Sequence, residues 1–561
     1  MNKVHWTKQV FQYGIACVVY LFFLWMAYRY LPLTYYFHDE WRQLAHVMVY
    51  GVGYQIQDSS IIALMLGKGR VAGTCINNIF FHYFPFEVQP FILFSIIGHL
   101  TNSIFVFRIT NRIIKQFWPA FFAGLFFAVS FRHEQALSWV GASVQMIGSL
   151  FFLLMSIDFL LTYLANKVKR NILFSAIFFY TAYLFKESVL FFPIVVAALI
   201  AMRQILTRKV NKVFLLTTLL LFVAGIPVAL RLFGGYTTNT QGFTGSAIAL
   251  KQAVNSIFYP LVTLGQYVLP FRFIYRAARW VLMMWYPFMD TGGNIESLLH
   301  FPLSDMVSLF ASSILLMLIV IVFIRYKKMR FWIYAGLLYY VLSFFPIAFH
   351  LIHRYDTQIE SRFVYTTTPA AAFLLACCLS YVMGSLRKLK QPLGNIIQVF
   401  IIICTGLLLL KITMITQREV RVSAYEGQAM SGFITNIKKL VPTLSKNTVL
   451  YFESDRTYFY DNNILPFKLG SGYILGVLYY RDGFIPAASL IDEPLLDFGS
   501  QGTVKGDGKM FGYYQNKETL KNDFVKKRVF SVDQVRALRY SSTNNSIIDI
   551  SGEIRDYLLS P

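Results

Sequence analysis

Four short stretches place acids and bases in otherwise apolar surroundings. His38-Asp39-Glu40-Trp41 follows a long apolar run; residues 131–141 read FRHEQALSWVG, residues 180–193 read YTAYLFKESVLFFP, and residues 359–369 read IESRFVYTTTP. A carboxylate within reach of a hydroxyl can take its proton while the oxygen forms a new bond, so Asp39 is a candidate general base and Glu40 the second choice. The same acids could equally be solvated, or could cap the next helix. Lys186 could face a phosphate, with Glu187 holding it by charge pairing, or the two could form an internal ion pair. Arg362 could grip a phosphate with its planar fork, or reach along the membrane surface to headgroups. Arg132 and Arg354 are further candidates for binding phosphate. His133, Glu134, Glu187 and Glu360 are candidate supporting residues.

These residues do not form a recognisable metal motif. A metal centre needs three or four converging ligands, and His38, His133, His350 and His353 lack the i, i+4 spacing of a zinc pair. A divalent cation on Asp39 or Glu134 is compatible with carboxylate chemistry, but no metal ligand is assigned. The five cysteines, Cys17, Cys75, Cys377, Cys378 and Cys404, fall mainly in apolar runs and give no disulfide framework.

The elements that must position this chemistry are membrane spans. Of 561 residues 56% are hydrophobic and 14% charged, well to the apolar side of a soluble chain. A span takes about 20 mainly apolar residues. The runs that qualify are 10–33, 90–107, 117–131, 139–164, 171–186, 188–202, 213–230, 305–324, 331–349, 365–386 and 395–415, about eleven in all. Residues 254–270 and 280–289 are also apolar but are interrupted by Pro260, Pro270 and Pro287. They read as interfacial or re-entrant pieces, and as two further spans would bring the count to thirteen. The first run has no cleavage signal after it.

The net charge of +23 would suggest nucleic acid in a soluble protein, but here it lies in short loops between spans. Alternate connections carry Arg108, Arg112 and Lys115; Lys167, Lys169 and Arg170; Arg203, Arg208, Lys209 and Lys212; Arg325, Lys327, Lys328 and Arg330; and Arg387, Lys388 and Lys390, with no acid among them. Basic loops stay in the cytoplasm. The N-terminus is therefore expected inside and the C-terminus outside, and no nucleic-acid partner is expected. All four chemical stretches then gather at the outer face, where charges at membrane depth mark functional sites. The organisation expected is a membrane domain, 1–415, and a small α/β or α+β domain, 416–561, with a helix over 424–440 and a strand over 448–453. The membrane domain has a large first outer loop, 34–89, and an outer loop, 231–304, that could act as a lid.

The motifs resemble those of a known superfamily. An acidic pair just after the first span, the run HEQALSWVG, the Lys-Glu-to-Pro run FKESVLFFP and the run ESRFVY before a late span are similar to segments of the membrane glycosyltransferases of C-type (GT-C) fold, particularly the protein O-mannosyltransferases and the lipid A aminoarabinose transferase. The resemblance covers roughly residues 1–370. Two departures stand out: His38 precedes the acidic pair, and the Asp-x-Asp arrangement of the metal-dependent oligosaccharyltransferase members is absent.

The resemblance implies transfer of a sugar from a polyprenyl-phosphate carrier to a hydroxyl at the outer face, with inversion. Asp39 would be the base, with Lys186, Arg362, Arg132 and Arg354 on the donor phosphate. It further implies a lipid, protein or glycan acceptor and surrounding membrane lipids. The lack of an exterior disulfide framework points to a bacterial plasma (inner) membrane. The main alternative is a multi-pass transporter or a lipid or polysaccharide flippase, which would place its charges nearer the midplane and show internal repeats.

Overall fold

The fold is taken from a computed structural model. It describes residues 3–36, 38–54, 70–207, 245–285, 303–350, 361–387 and 392–443, and beyond these 448–455, 457–458, 463–464, 474, 477–479, 512–514, 516–527, 530–541, 543–544 and 546–561. From the N-terminus run α1 (Lys3–Tyr28), α2 (His38–Tyr50), α3 (Val71–Tyr83), α4 (Gln89–Ile114), α5 (Phe117–Val129), α6 (Glu134–Ser138), α7 (Val140–Asn166), α8 (Arg170–Phe185) and α9 (Phe192–Thr207). These are followed by α10 (Gly245–Val268), α11 (Phe271–Trp285), α12 (Ser304–Arg325), α13 (Arg330–Leu342), α14 (Phe345–His350), α15 (Thr368–Leu386) and α16 (Leu393–Leu440).

The chain is a multi-pass α-helical membrane protein. Among the described residues seven helical stretches are long and apolar enough to cross a bilayer, and Phe117–Val129, Arg170–Phe185 and Glu187–Met202 are shorter apolar helices. The expected span 213–230 lies outside the described residues. Pro260 was expected to interrupt its segment, yet α10 runs through it. Proline at 260 removes the ladder bond to the carbonyl of Ser256; the helix is also held from outside, where the Tyr340 hydroxyl donates to the Pro260 carbonyl at 2.8 Å. The interruption expected at Pro270 is present, the apolar pair turning there through 104°, and Pro287 lies outside the described residues.

Inside the bundle several buried polar side chains are paired with one another, which lowers the cost of placing them among lipid-solvated helices. The Ser95 hydroxyl donates to Ser143 at 2.7 Å, and His99 bonds the Tyr365 hydroxyl at 2.8 Å and the Ala128 carbonyl at 3.0 Å. Asp158 is buried within α7 and sits between two cations of α4, at 2.9 Å from Arg108 and in a shorter contact with Arg112. This ion cluster explains how a carboxylate persists in an apolar helix and fastens α7 to α4.

The C-terminal region is α/β. Its four-stranded sheet has the order β4 (Gly512–Tyr514), β1 (Val449–Ser454), β5 (Val535–Ser541), β6 (Ser546–Asp549); β1 is parallel to β4 and β5, and β5 is antiparallel to β6. A separate pair joins β2 (Thr457–Tyr458) to β3 (Asn463–Ile464). The expected strand at 448–453 is β1, whereas the expected helix 424–440 is not a separate element. It is the end of α16, whose 48 residues run unbroken through residue 415. At 1.5 Å per residue α16 is about 72 Å long, more than twice a hydrocarbon core. Its far end enters the core of the C-terminal region, where Phe433 lies 6.0 Å from Phe452 and 6.3 Å from Tyr540, centroid to centroid.

Candidate functional site

Three of the four stretches are joined by described side-chain contacts, and the first reaches them through Glu40. α2 carries His38, Asp39 and Glu40 in its first turn. Glu40 is 2% exposed, and its carboxylate accepts a short hydrogen bond from the backbone N–H of Gly141. Gly141 lies in the first turn of α7, where N–H groups have no helical partner and the dipole favours a negative charge. A buried acid is stable there for that reason. On the other side the Asn77 amide donates to the Gly141 carbonyl at 2.8 Å, tying α3 to the same turn. A Cβ on Gly141 would sit 3.0 Å from the Glu40 Cγ, a tight contact that the glycine relieves. The side chain of Asp39 lies outside the described residues.

The remaining contacts run through Trp139, Arg362 and Phe363. The Arg362 guanidinium is 3.8 Å from the centre of the Trp139 ring and 4.9 Å from that of Phe363. The Lys186 ammonium faces the same Phe363 ring at 6.0 Å. Stacking on aromatic faces favours both cations. The Ser361 hydroxyl accepts from the Gln135 N–H at 2.9 Å. The runs HEQALSWVG, FKES and SRFVY thus form one wall.

A further residue stands in this wall that was not singled out in the sequence. The Arg70 Nε donates to Glu187 at 2.8 Å, and a second, shorter bond makes the pair bidentate. Arg70 precedes α3 with a left-handed backbone, φ 69°, a strained setting for a non-glycine residue. A cation at a helix N-terminus is also opposed by the dipole, and Glu187 offsets this. Lys186 is 7% exposed, and Arg70 and Arg362 are the like charges acting on it while Glu187 is the opposite one. Arg70 and Lys186 thus both act on Glu187 and Arg362 acts on Lys186, so three cationic side chains lie near one another at this wall.

The other sequence candidates are placed as follows. His133 is fully buried, its ring 4.7 Å from both Phe127 and Tyr365 and 5.2 Å from His99. Burial and the neighbouring His99 hold it well below the usual imidazole range. It packs as a neutral ring beneath the site. Glu134 accepts from Ser138 at 2.9 Å and, in a shorter bond, from Ser423 of α16. Burial pushes its carboxyl up to about 6. Arg132 is half-buried, with Tyr267 and Tyr340 acting on it. Arg354 and Glu360 lie outside the described residues. Among the described residues no group of three or more His, Cys, Asp or Glu side chains converges as metal ligands do.

No family model matches the chain, and no curated protein matches it. Among solved structures it is similar to an archaeal oligosaccharyltransferase, AglB from Archaeoglobus fulgidus, in complex with an inhibitory peptide and a dolichol-phosphate. That likeness has 13% identity and a TM-score of 0.47, and it covers 84% of this chain. The chain spans 64% of the length of that protein. It is also similar to ArnT from Cupriavidus metallidurans bound to undecaprenyl phosphate, with 10% identity and a TM-score of 0.36 over 96% of this chain and 94% of that one.

Proposed function

We propose that the chain is an inverting membrane glycosyltransferase of GT-C type, taking a sugar from a polyprenyl-phosphate carrier at the outer face of a bacterial plasma membrane. The observation that carries this reading is the meeting of Lys186, Arg70 and Arg362 beside the acidic turn of α2, through contacts among all four sequence stretches. Asp39 takes the proton of an acceptor hydroxyl on a lipid, protein or glycan. The acceptor oxygen attacks the anomeric carbon opposite the phosphate, the carbon–oxygen bond to the phosphate breaks, and its electron pair leaves on the carrier phosphate. The growing charge there is met by cations already in place. Glu187 holds Arg70, and Glu40 anchors the turn that bears Asp39.

The test is transfer by the reconstituted protein. Vesicles containing wild type, a set of polyprenyl-phosphate sugars and lipid, peptide and glycan hydroxyl acceptors should release free polyprenyl phosphate as the sugar passes to an acceptor, and Asp39→Asn should abolish release while binding the donor as wild type does. Full release by Asp39→Asn would remove that residue from the mechanism. An absence of release or transfer with every sugar, alongside movement of lipid between leaflets, would favour a flippase.

A further inference from the structure

The helix α11 is built differently from the spans around it. It follows α10, which runs alongside α12: the Gly265 N–H donates to the Ser312 hydroxyl at 2.6 Å, and a Cβ on Gly265 would strike the Ser308 carbonyl. Because α12 is long and apolar enough to cross a bilayer and the chain turns by 104° between α10 and α11, α11 lies near the membrane plane. It sits at the Ser304 end of α12, away from the basic Arg325–Arg330 turn, with Ala278 packed against Tyr275, Leu303 and Val307. The candidate site is close by, since Tyr267 at the end of α10 bonds the hydroxyls of Thr367 and Thr368.

The described exposed side chains of α11 divide into two stripes. Phe273, Trp280 and Met284 recur at one-face spacing and are all exposed, Trp280 at 61%. Arg276 and Arg279 are exposed on the adjoining face, the helix FRFIYRAARWVLMMW contains no acid, and among the described residues neither guanidinium has a partner. An exposed apolar stripe bordered by cations is the pattern of a helix lying in the headgroup layer, and tryptophan favours that depth.

We propose that α11 lies in the surface of the leaflet beside the candidate site and binds anionic phospholipid headgroups through Arg276 and Arg279, with Phe273, Trp280 and Met284 sunk among the acyl chains. Charge complementarity selects the occupant: two exposed cations at headgroup depth match lipid phosphates on an anionic leaflet. The identity of that leaflet as the outer one rests on the orientation used under Proposed function, whereas the lipid contact itself does not.

The test uses the whole protein in vesicles of phosphatidylcholine and phosphatidylglycerol with bromine near the top of the acyl chains, and takes the Trp280 signal as wild type minus Trp280→Phe. That signal should be quenched by the brominated lipids and not by aqueous iodide, and more strongly by brominated phosphatidylglycerol. Arg276→Gln and Arg279→Gln should each cut the preference for phosphatidylglycerol by about fivefold while leaving quenching by brominated phosphatidylcholine unchanged. Quenching of Trp280 by iodide alone, or equal quenching by the two lipids in wild type, would overturn the proposal. No polyprenyl phosphate enters the assay, so failure of the donor reading would leave its result untouched.

Discussion

Asp39 and Glu40 are neighbours in sequence, but Glu40 has a structural task that the sequence does not reveal. Its carboxylate meets the Gly141 N–H, 101 residues away, and nothing local announces such a pairing. Glu40→Gln would keep one acceptor oxygen while removing the charge that the α7 dipole favours. It should destabilise the fold by about 1 kcal/mol, read as a lower melting temperature. Arg70 was missed for a related reason: its partner Glu187 is 117 positions on, and an isolated arginine in an outer loop reads as solvated. On the proposed reading Arg70→Ala should weaken donor binding by about tenfold to a hundredfold, the worth of a charged hydrogen bond, measured by titration with polyprenyl phosphate.

Glu134 supplies a pH test at the same scale. Burial raises its carboxyl from 4.5 to about 6; the Ser423 and Ser138 hydroxyls pull the other way, and Glu419 and Glu426 push it further up. The fold thus favours the protonated form, a contribution fully present below pH 4.5 and lost as pH rises through about 6. Wild type should lose melting temperature across that window relative to Glu134→Gln. A difference between the two that does not change with pH would contradict the assignment.

Among the elements, α16 runs from the helical bundle to the C-terminal sheet. Besides Ser423 on Glu134, Thr416 donates to the Val129 carbonyl at 2.7 Å, and the Arg421 guanidinium lies 5.6 Å from the Tyr30 ring centre. At Gly427 a Cβ would come within 2.6 Å of the Leu33 carbonyl, the Thr34 Cα and the Tyr35 nitrogen. Backbone cannot yield as a flexible side chain can, so Gly427→Ala should cost about 1–3 kcal/mol and shift the segment that leads into α2, seen as a lower melting temperature. The apolar run 395–415 and the amphipathic end 424–440 were both legible in sequence. Their continuity was not, because polar residues such as Arg418, Glu419 and Arg421 look like a linker when the surfaces they meet are unknown. Pro260 misled in the opposite way, since the sequence shows a missing donor but not how helix packing tolerates it.

At the scale of the molecule, apolar run length marked helices that the structure also contains, because hydrocarbon thickness imposes that length on the sequence itself. The arrangement of the cations depends instead on which helix ends meet, and three-dimensional packing decides that. The proposed orientation is testable with a single thiol: Gly552 has open space where a side chain would grow, so Gly552→Cys in a chain whose five native cysteines are replaced by alanine gives one site to label. Membrane-impermeant maleimide should label it in intact cells, and labelling only after the cells are opened would invert the topology.

The central claim is that Lys186, Arg70 and Arg362 together hold a lipid phosphate. Native mass spectrometry of the protein in mild detergent with added polyprenyl phosphate tests it most directly. Wild type should carry one bound carrier, and Lys186→Ala and Arg362→Ala should each lose it while melting as wild type does. Undiminished carrier on both variants, or none on wild type, would contradict the account and leave these cations as parts of the wall alone.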